Sequence, residues 1–236
     1  DAMIRHRLEP EIYNFRLLNQ LNESLKNHKG EPFRIHIKLD TGMHRLGFEE
    51  SEISELVVRL KNNKMLHVQS VFTHLVASDE AEHDGFTHRQ LERFQAMSER
   101  IRGSFDYPIL RHALNSSGIL RFSEAQFEMV RLGIGLYGFA ATSHEQQQLQ
   151  HVATLRTTIS QIKSVPANET VGYGRKGIVK RESSIATVPI GYADGISRRL
   201  SNGVGKMLVN GVLAPIVGNV CMDMCMLDIT DVPAKE

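Results

Sequence analysis

Lysine, aspartate and arginine stand together in Lys38-Leu39-Asp40-Thr41-Gly42-Met43-His44-Arg45-Leu46-Gly47. The segment directly follows Phe33-Arg34-Ile35-His36-Ile37, where polar and apolar side chains alternate as in a strand. In α/β proteins, ligands and chemistry gather at the C-terminal ends of strands. Two cations there suit a carboxylate or a phosphate, and the Arg45 guanidinium can grip either one with a bidentate fork. An ordinary charged turn is the plain alternative. Arg131, placed before Leu132-Gly133-Ile134-Gly135, occupies a second strand end and can only donate hydrogen bonds. Asn115-Ser116-Ser117-Gly118 precedes a short helical pattern; its hydroxyl and free N–H groups suit a phosphate, although Asn-Ser-Ser is also a plain N-cap. His74 ends another strand. Tyr192 lies in Gly191-Tyr192-Ala193-Asp194-Gly195, and a tyrosine acts as a base near neutrality only if positive charge or hydrogen bonds offset its ordinary pKa of about 10.

The elements that must position these residues fall into two textures. Leu8, Ile12, Phe15, Leu18, Leu21 and Leu25 recur at spacings of three and four, predicting an amphipathic helix over 8–26. A strand over 33–39 follows, then a helix marked by Ile53, Leu56, Val57 and Leu60, and a strand over 66–73. A third helix is expected to start near Thr87, with Gln90 completing a capping box, and to bury Leu91, Phe94, Met97 and Ile101 before stopping at Gly103. Short strands are expected at 109–112 and 129–130, then an apolar run over 134–139. Alternating helix and strand predicts parallel βαβ units. After about residue 140 the helical period disappears. A polar tract over 143–150 reads as a linker, and 152–165, 184–190, 206–209, 212–217 and 224–229 read as strands, with hairpin signals at Asn202-Gly203 and Asn210-Gly211. We therefore divide the chain into an α/β region, 1–141, and an all-β region, 142–236.

Bulk properties narrow the function classes. The chain has 236 residues, of which 41% are apolar, enough for a packed core, and a net charge of +1 that offers no basic surface for nucleic acid. No apolar run approaches the roughly 20 residues that span a bilayer. The opening residues are too polar for the core of a signal peptide. Cys221 and Cys225 are the only cysteines, and no histidine follows His151. They read as buried thiols rather than half of a metal site, and a reducing cytoplasm suits them.

The segment 38–47 resembles the K-x-D-T-G-M-x-R-x-G signature of alanine racemases, enzymes that use pyridoxal 5'-phosphate. In the same order as in that family come Phe72-Thr73-His74, His112-Ala113-Leu114-Asn115-Ser116, Met129-Val130-Arg131-Leu132-Gly133-Ile134, Pro189-Ile190-Gly191-Tyr192-Ala193-Asp194-Gly195 and Gly218-Asn219-Val220-Cys221-Met222-Asp223. The resemblance implies the C-terminal half of a (β/α)8 barrel followed by part of a β-barrel-like domain. It also implies interconversion of L- and D-alanine by two bases on opposite faces of the α-carbon, supplying D-alanine for peptidoglycan.

By the same resemblance, Tyr192 is one base, and His74 sits against the cofactor ring between that tyrosine and Arg131. Arg131 hydrogen-bonds the pyridine nitrogen, which must then accept and stay unprotonated, a weaker electron sink than a protonated ring. Asn115, Ser116, Gly133 and Ile134 hold the cofactor, the last three at its phosphate. Arg45, Met222 (by its backbone) and Asp223 face the substrate. Lys38 matches a lysine that is often carbamylated, a modification that needs the neutral amine. A cytoplasmic homodimer with composite sites is implied, with no nucleic acid, membrane or metal involved.

The family's motif for the lysine that binds the cofactor covalently does not occur, so the chain reads as a C-terminal part of such an enzyme and is expected to be inactive alone. A related racemase or decarboxylase on the same plan is one rival, but a decarboxylase would carry a cysteine-centred motif where 190–195 stands. A non-catalytic pyridoxal-phosphate-binding protein is another, and the β region with Tyr192 argues against it.

Overall fold

The strand β2 (Phe33–Lys38) shows why the first part of the chain folds as a sheet covered by helices. Ile35 and Ile37 are fully buried and cluster with helix residues Leu18, Leu56 and Phe94, while Arg34, His36 and Lys38 point to the opposite face. The computed structural model describes residues 2–235. It divides into two units, Asp1–Ala153 and Thr154–Glu236.

In the first unit, β1 (Glu11–Ile12), β2, β3 (Leu66–Phe72) and β4 (Leu110–His112) form a parallel sheet in that order. The short α1 (Ala2–Arg5) precedes it. The connections carry α2 (Phe15–Leu25), α3 (Ile53–Lys61) and α4 (Asp84–Arg102), which bury Leu18, Leu21, Leu56, Leu60, Leu91, Phe94, Met97 and Ile101. This is the strand–helix alternation of a barrel segment. After β4 come α5 (Ser116–Arg121) and α6 (Ser143–Gln146).

One irregularity decides which side chains share the polar face. The pairing of β2 with β3 shifts register between Ile35 and His36: Ile35 faces Val68, but His36 faces Ser70. Gln69 is the extra residue. A bulge inverts the alternation, so Ser70 and Phe72 join His36 and Lys38, while Val71 pairs with Ile37 on the core side. Glu11, His36 and Ser70 then form one rung, and Lys38, Phe72 and His112 the next.

Several sequence expectations change here. The helix expected over 8–26 begins only at Phe15, because Asn14 caps it by accepting from the Leu17 amide at 2.8 Å; Ile12 belongs to β1 and Leu8 is exposed. The third helix starts at Asp84, and Thr87 and Gln90, expected to cap it, are buried within it. Met129–Val130 is not a strand, so Arg131 sits in a loop, and Ile134–Tyr137 is a 3-10 turn. The polar tract after residue 142 contains α6, capped by reciprocal bonds between Thr142 and Glu145.

The second unit is antiparallel. Its main sheet runs β5 (Gln161–Val165), β8 (Ser183–Val188), β11 (Cys225–Asp228), β10 (Val212–Val217), β9 (Lys206–Val209), and β6 (Thr170–Val171) pairs with β7 (Gly177–Ile178). Residues 152–160, expected as strand, are irregular. Asn210 (φ 47°) and Gly211 (φ 84°) close the β9–β10 hairpin, as the inward twist of a two-residue turn requires. Asn202-Gly203 has the same conformation but turns the chain ahead of β9 rather than joining two strands. Ala186, Val188, Ala214, Ile216 and Leu227 form the core with Cys225. Both cysteines are free.

Phe94 is fully buried. We expect Phe94→Ala to lower unfolding free energy by about 3–5 kcal/mol in urea titrations, whereas Val58→Ala, on the exposed face of α3, should stay within about 0.5 kcal/mol. Equal losses would mean that α4 does not pack as described.

Candidate functional site

The loop after β2 is built by its aspartate and its glycines. Asp40 Oδ1 accepts from the amides of Gly42 (2.9 Å), Met43 (3.0 Å) and His44 (3.1 Å). Asp40 and Phe48 close the loop, the Asp40 amide donating to Phe48 O and the Phe48 amide to Lys38 O. A Cβ on Gly47 (φ +137°) would lie 2.5 Å from the Asp40 nitrogen, so no other residue fits. Gln90 ties this loop to the one after β3: its amide donates to Thr41 Oγ1 and to His74 O, and its Oε1 accepts from the Val76 amide. Arg45 is carried outward, exposed and free of hydrogen bonds among the described residues. His44 gives its backbone amide to the loop; its side chain is 80% exposed, with Nδ1 3.9 Å from Asp40 Oδ2.

Lys38 is buried. Its ammonium lies 3.0 Å from Glu11 Oε1. The angles fall outside hydrogen-bond geometry, so that carboxylate oxygen has charge compensation but no hydrogen-bond partner among the described residues. Phe72 lies beneath both cations, 5.6 Å from Lys38 Nζ and 5.1 Å from the Arg131 guanidinium.

Arg131 is the centre of the first unit's polar face. One Nη donates to His112 Nδ1 through a short bond and to His112 O (3.2 Å). The other donates to Thr73 O (2.7 Å) and Ala113 O (3.2 Å) and lies 3.5 Å from His74 Nδ1. Nε has no partner among the described residues, and it is not among the atoms that are both buried and unpartnered, so it remains open to an acceptor. An arginine only donates, so His112 must present a bare Nδ1 and carry its proton on Nε2. Burial and neighbouring charge also favour neutral rings. Burial first, then Arg131 and then His36, push His112 from 6.5 down to about 3. Burial, Arg131, Arg45 and Lys38 lower His74 as well. Burial also lowers Arg131, while Glu11 opposes that shift; it stays a cation.

Beside this centre, Asn115 Oδ1 caps α5, accepting from the Gly118 amide (2.9 Å) and the Ser78 hydroxyl (2.8 Å). The Asn115 side-chain oxygen is thus committed to the N-cap. Ser116 Oγ receives the amides of Gly133 (2.9 Å) and Gly135 (3.1 Å). A Cβ at Gly135 would come within 3.0 Å of Leu132 and 3.4 Å of Ser116. Ile134 is exposed, and its amide has no backbone partner among the described residues. The Ser116 hydroxyl, the Ile134 amide and the donor Nε of Arg131 are the kind of set that holds a phosphorylated pyridine, with N–H and O–H donors for the phosphate and a fixed donor for the ring nitrogen, while the Gly133 amide is taken up by Ser116 Oγ.

In the second unit, Gly191 lets two loops touch, since a Cβ there would lie 2.3 Å from Met222 O and 2.4 Å from Cys221 O. Tyr192 and Ala193 donate their amides to Cys221 O (3.0 Å) and Met222 O (2.9 Å). This brings Tyr192, Met222 and Asp223 together, with Arg198, along an open groove of about 610 Å³. Tyr192 is 41% exposed, and the Arg198 guanidinium lies 5.7 Å from its ring.

Sequence reasoning missed Glu11, Ser70, Gln90 and the role of His112. His112 opens one of the recognised blocks and could have been found there; Glu11 and Ser70 carry no local signal.

Comparison with known proteins matches residues 1–141 to the alanine racemase N-terminal domain and residues 152–236 to the alanine racemase C-terminal domain. Alanine racemase 1 of Clostridium acetobutylicum is 37% identical over 240 residues, covering all of this chain and 61% of that protein. Alanine racemase 1 of Oceanobacillus iheyensis is 37% identical over 233 residues, covering 97% of this chain and 61% of the relative. The chain therefore spans about 61% of the length of these relatives. Among solved structures, alanine racemase from Streptomyces coelicolor A3(2) superposes with a TM-score of 0.89 at 27% identity, covering 99% of this chain and 62% of that one. Alanine racemase from Bartonella henselae with covalently bound pyridoxal phosphate gives 0.83 at 27% identity, covering 99% and 63%.

The low pKa of His112 has a consequence for stability. Between 6.5 and about 3 the unfolded chain takes up a proton that the folded one refuses, so stability is full above 6.5 and falls as the pH drops through that window, by up to about 1.4 kcal/mol per pH unit. His74 acts in the same direction. Urea midpoints measured from pH 7.5 to 5 should fall less steeply in His112→Gln than in the parent. Parallel slopes would show that His112 protonates equally in both states.

Proposed function

Since this chain belongs to the alanine racemase family, we propose that it serves the interconversion of L- and D-alanine, with pyridoxal 5'-phosphate held by Arg131, Ser116, Gly133 and Ile134. The observation that supports this most is the Arg131 guanidinium: both Nη atoms are bound to fixed acceptors, and Nε is free. A donor that cannot deprotonate keeps an aromatic nitrogen in the acceptor state. When bound, the cofactor supplies the electron sink for cleavage of the α C–H bond. The chain's own residues do the rest. The Ser116 hydroxyl and neighbouring amides hold phosphate oxygens. Arg45, unpaired and cationic, takes the substrate carboxylate. His74, beside Arg131 and kept from charging by burial and the neighbouring cations, lines the reacting face. Tyr192 exchanges a proton with one face of the α-carbon, and Asp223 and the Met222 backbone border the substrate.

Lys38 is proposed to act as an unmodified ammonium. Carbamylation requires the neutral amine, which would give up the charge contact with Glu11. Mass spectrometry of the peptide containing Lys38 should show the unmodified lysine, and native crystals should show no extra density at Nζ.

We further propose a cytoplasmic homodimer that supplies D-alanine for peptidoglycan, with Tyr192 of each copy completing the site on the barrel of the other, as two-fold symmetry would allow. No helix among the described residues is long and apolar enough to cross a membrane.

Tyr192→Phe keeps the ring and removes the phenolic proton. In the full-length enzyme, kcat should fall by at least about 100-fold, the lower end of what a positioned acid–base group contributes. Exchange of the α-hydrogen with solvent should be lost for one alanine enantiomer and retained for the other. Equal loss for both enantiomers would remove Tyr192 from the role of a one-face base. Mixing Tyr192→Phe subunits with Arg131→Ala subunits tests the interface: a composite site leaves one intact centre per hybrid dimer and restores activity, whereas no recovery after confirmed subunit exchange means that each tyrosine serves its own chain.

A further inference from the structure

Beyond Arg131 and His112, the polar face continues in a single file of hydrogen bonds. His112 Nε2 lies 2.9 Å from Ser70 Oγ, Ser70 Oγ lies 2.6 Å from His36 Nδ1, and His36 Nε2 lies 3.0 Å from Glu9 Oε2. Ser70 is fully buried and His112 is 4% exposed, while Glu9 at the far end is 34% exposed and has Arg34 3.6 Å away. None of Glu9, His36 and Ser70 is used by the reading proposed above.

The ends of this file differ in kind. Arg131 can only donate, and an ionised Glu9 can only accept. With one proton on each imidazole, every proton between them is thereby placed. Arg131 donates to His112 Nδ1, so His112 carries its proton on Nε2 and donates to Ser70. Ser70 then has its hydroxyl proton to give to His36 Nδ1, and His36 carries its own proton on Nε2 and donates to Glu9. Four contacts are satisfied in one direction with both imidazoles neutral. The reverse order would set an N–H of His112 against an N–H of Arg131 at one end and a bare imidazole nitrogen against a carboxylate at the other. A buried donor facing a donor is costly, and a buried network rigidifies a site only when every member is satisfied.

We propose that Glu9, His36 and Ser70 are positioning residues: a one-way hydrogen-bond chain that locks His112 in its Nε2–H form and so holds the Arg131 guanidinium in the orientation it presents to the cofactor's ring nitrogen. The last clause rests on the cofactor reading given above; the proton placement does not. The bulge at Gln69 is part of the device, since without the register shift Ser70 would face the apolar core.

The test reads proton positions rather than turnover. Long-range proton–nitrogen correlation spectra of the full-length enzyme labelled at histidine and arginine nitrogen, with and without pyridoxal 5'-phosphate, report the tautomer of each imidazole and the exchange of the Arg131 Nη protons. Signals are assigned by their loss in His36→Gln and His112→Gln. In the parent, His36 and His112 should each show one protonated Nε2 and one bare Nδ1, and the Arg131 Nη protons should exchange slowly. Ser70→Ala should abolish the single His112 pattern and the slow Arg131 exchange, and shift the pH profile of the bound cofactor's absorbance. Ser70→Thr, which keeps the hydroxyl, should restore all three. Glu9→Ala, at the exposed end, should change the His36 pattern in the same direction and serves if Ser70→Ala does not fold. A parent His112 protonated on Nδ1, or a Ser70→Ala enzyme with parental His112 and Arg131 signals, overturns the proposal. Failure of pyridoxal 5'-phosphate to bind the parent would instead overturn the cofactor reading, and the tautomer spectra would still decide the chain.

Discussion

A guanidinium that cannot lose its proton, held among acceptors inside a sheet face, is the constraint on which the first unit depends. Arg131 is buried deeply enough for desolvation to be the largest influence on it. A buried charge persists only where hydrogen bonds and opposing charge compensate it. The compensation is spread over the carbonyls of Thr73, His112 and Ala113 and the bare nitrogen of His112, with the Glu11 carboxylate opposing the desolvation from further away. All of these groups sit at or just past the ends of β1, β3 and β4. The ends of three parallel strands must therefore be in register before the arginine can be accommodated, which makes the site a readout of correct sheet assembly.

The loops around the site are rigid for a related reason. Each is tied by side-chain acceptors that take up backbone amides: Asp40 for the turn after β2, Asn115 for the start of α5, Ser116 for the turn at Gly133–Gly135. A loop fastened in this way can present a free group such as Arg45 without losing it to solvent disorder. The glycines serve the same end by steric means. Gly47 and Gly191 stand where any Cβ would strike backbone at 2.5 Å or less, so the segments they join can approach this closely only with glycine there.

Much of this was legible in the sequence, and the failures have physical causes. β2 and the buried stripes of α3 and α4 could be read because one face is apolar and the period is unbroken. The helix before β2 was drawn too long because Ile12, a strand residue, happens to fall on the helical period of Leu18 and Leu25. The chemistry-bearing segments were found because their residue types cluster in sequence. Glu11 and Ser70 were not, since each meets its partners only across strands, Lys38 27 positions away and His112 42 away. Ser70 was further hidden by the bulge: in Leu66-His67-Val68-Gln69-Ser70-Val71-Phe72 the alternation breaks at Gln69, and strict counting would put the serine in the core.

Charge balance on the polar face follows from the same cross-strand placement. Lys38 and Arg131 are two cations over one phenylalanine ring, and cations sharing a partly desolvated face repel unless a counter-charge lies between them. Glu11 is that counter-charge: it touches Lys38 and acts electrostatically on Arg131. An anion built on Lys38 itself would relieve the same repulsion, but beside Glu11 it would set two negative charges together and leave no cation at that position. With the carboxylate supplied by β1, the unmodified lysine proposed above has its counter-charge 3.0 Å away. Around Phe72 this sets two cations, Lys38 and Arg131, against one anion, Glu11, a local positive excess suited to an anionic ligand.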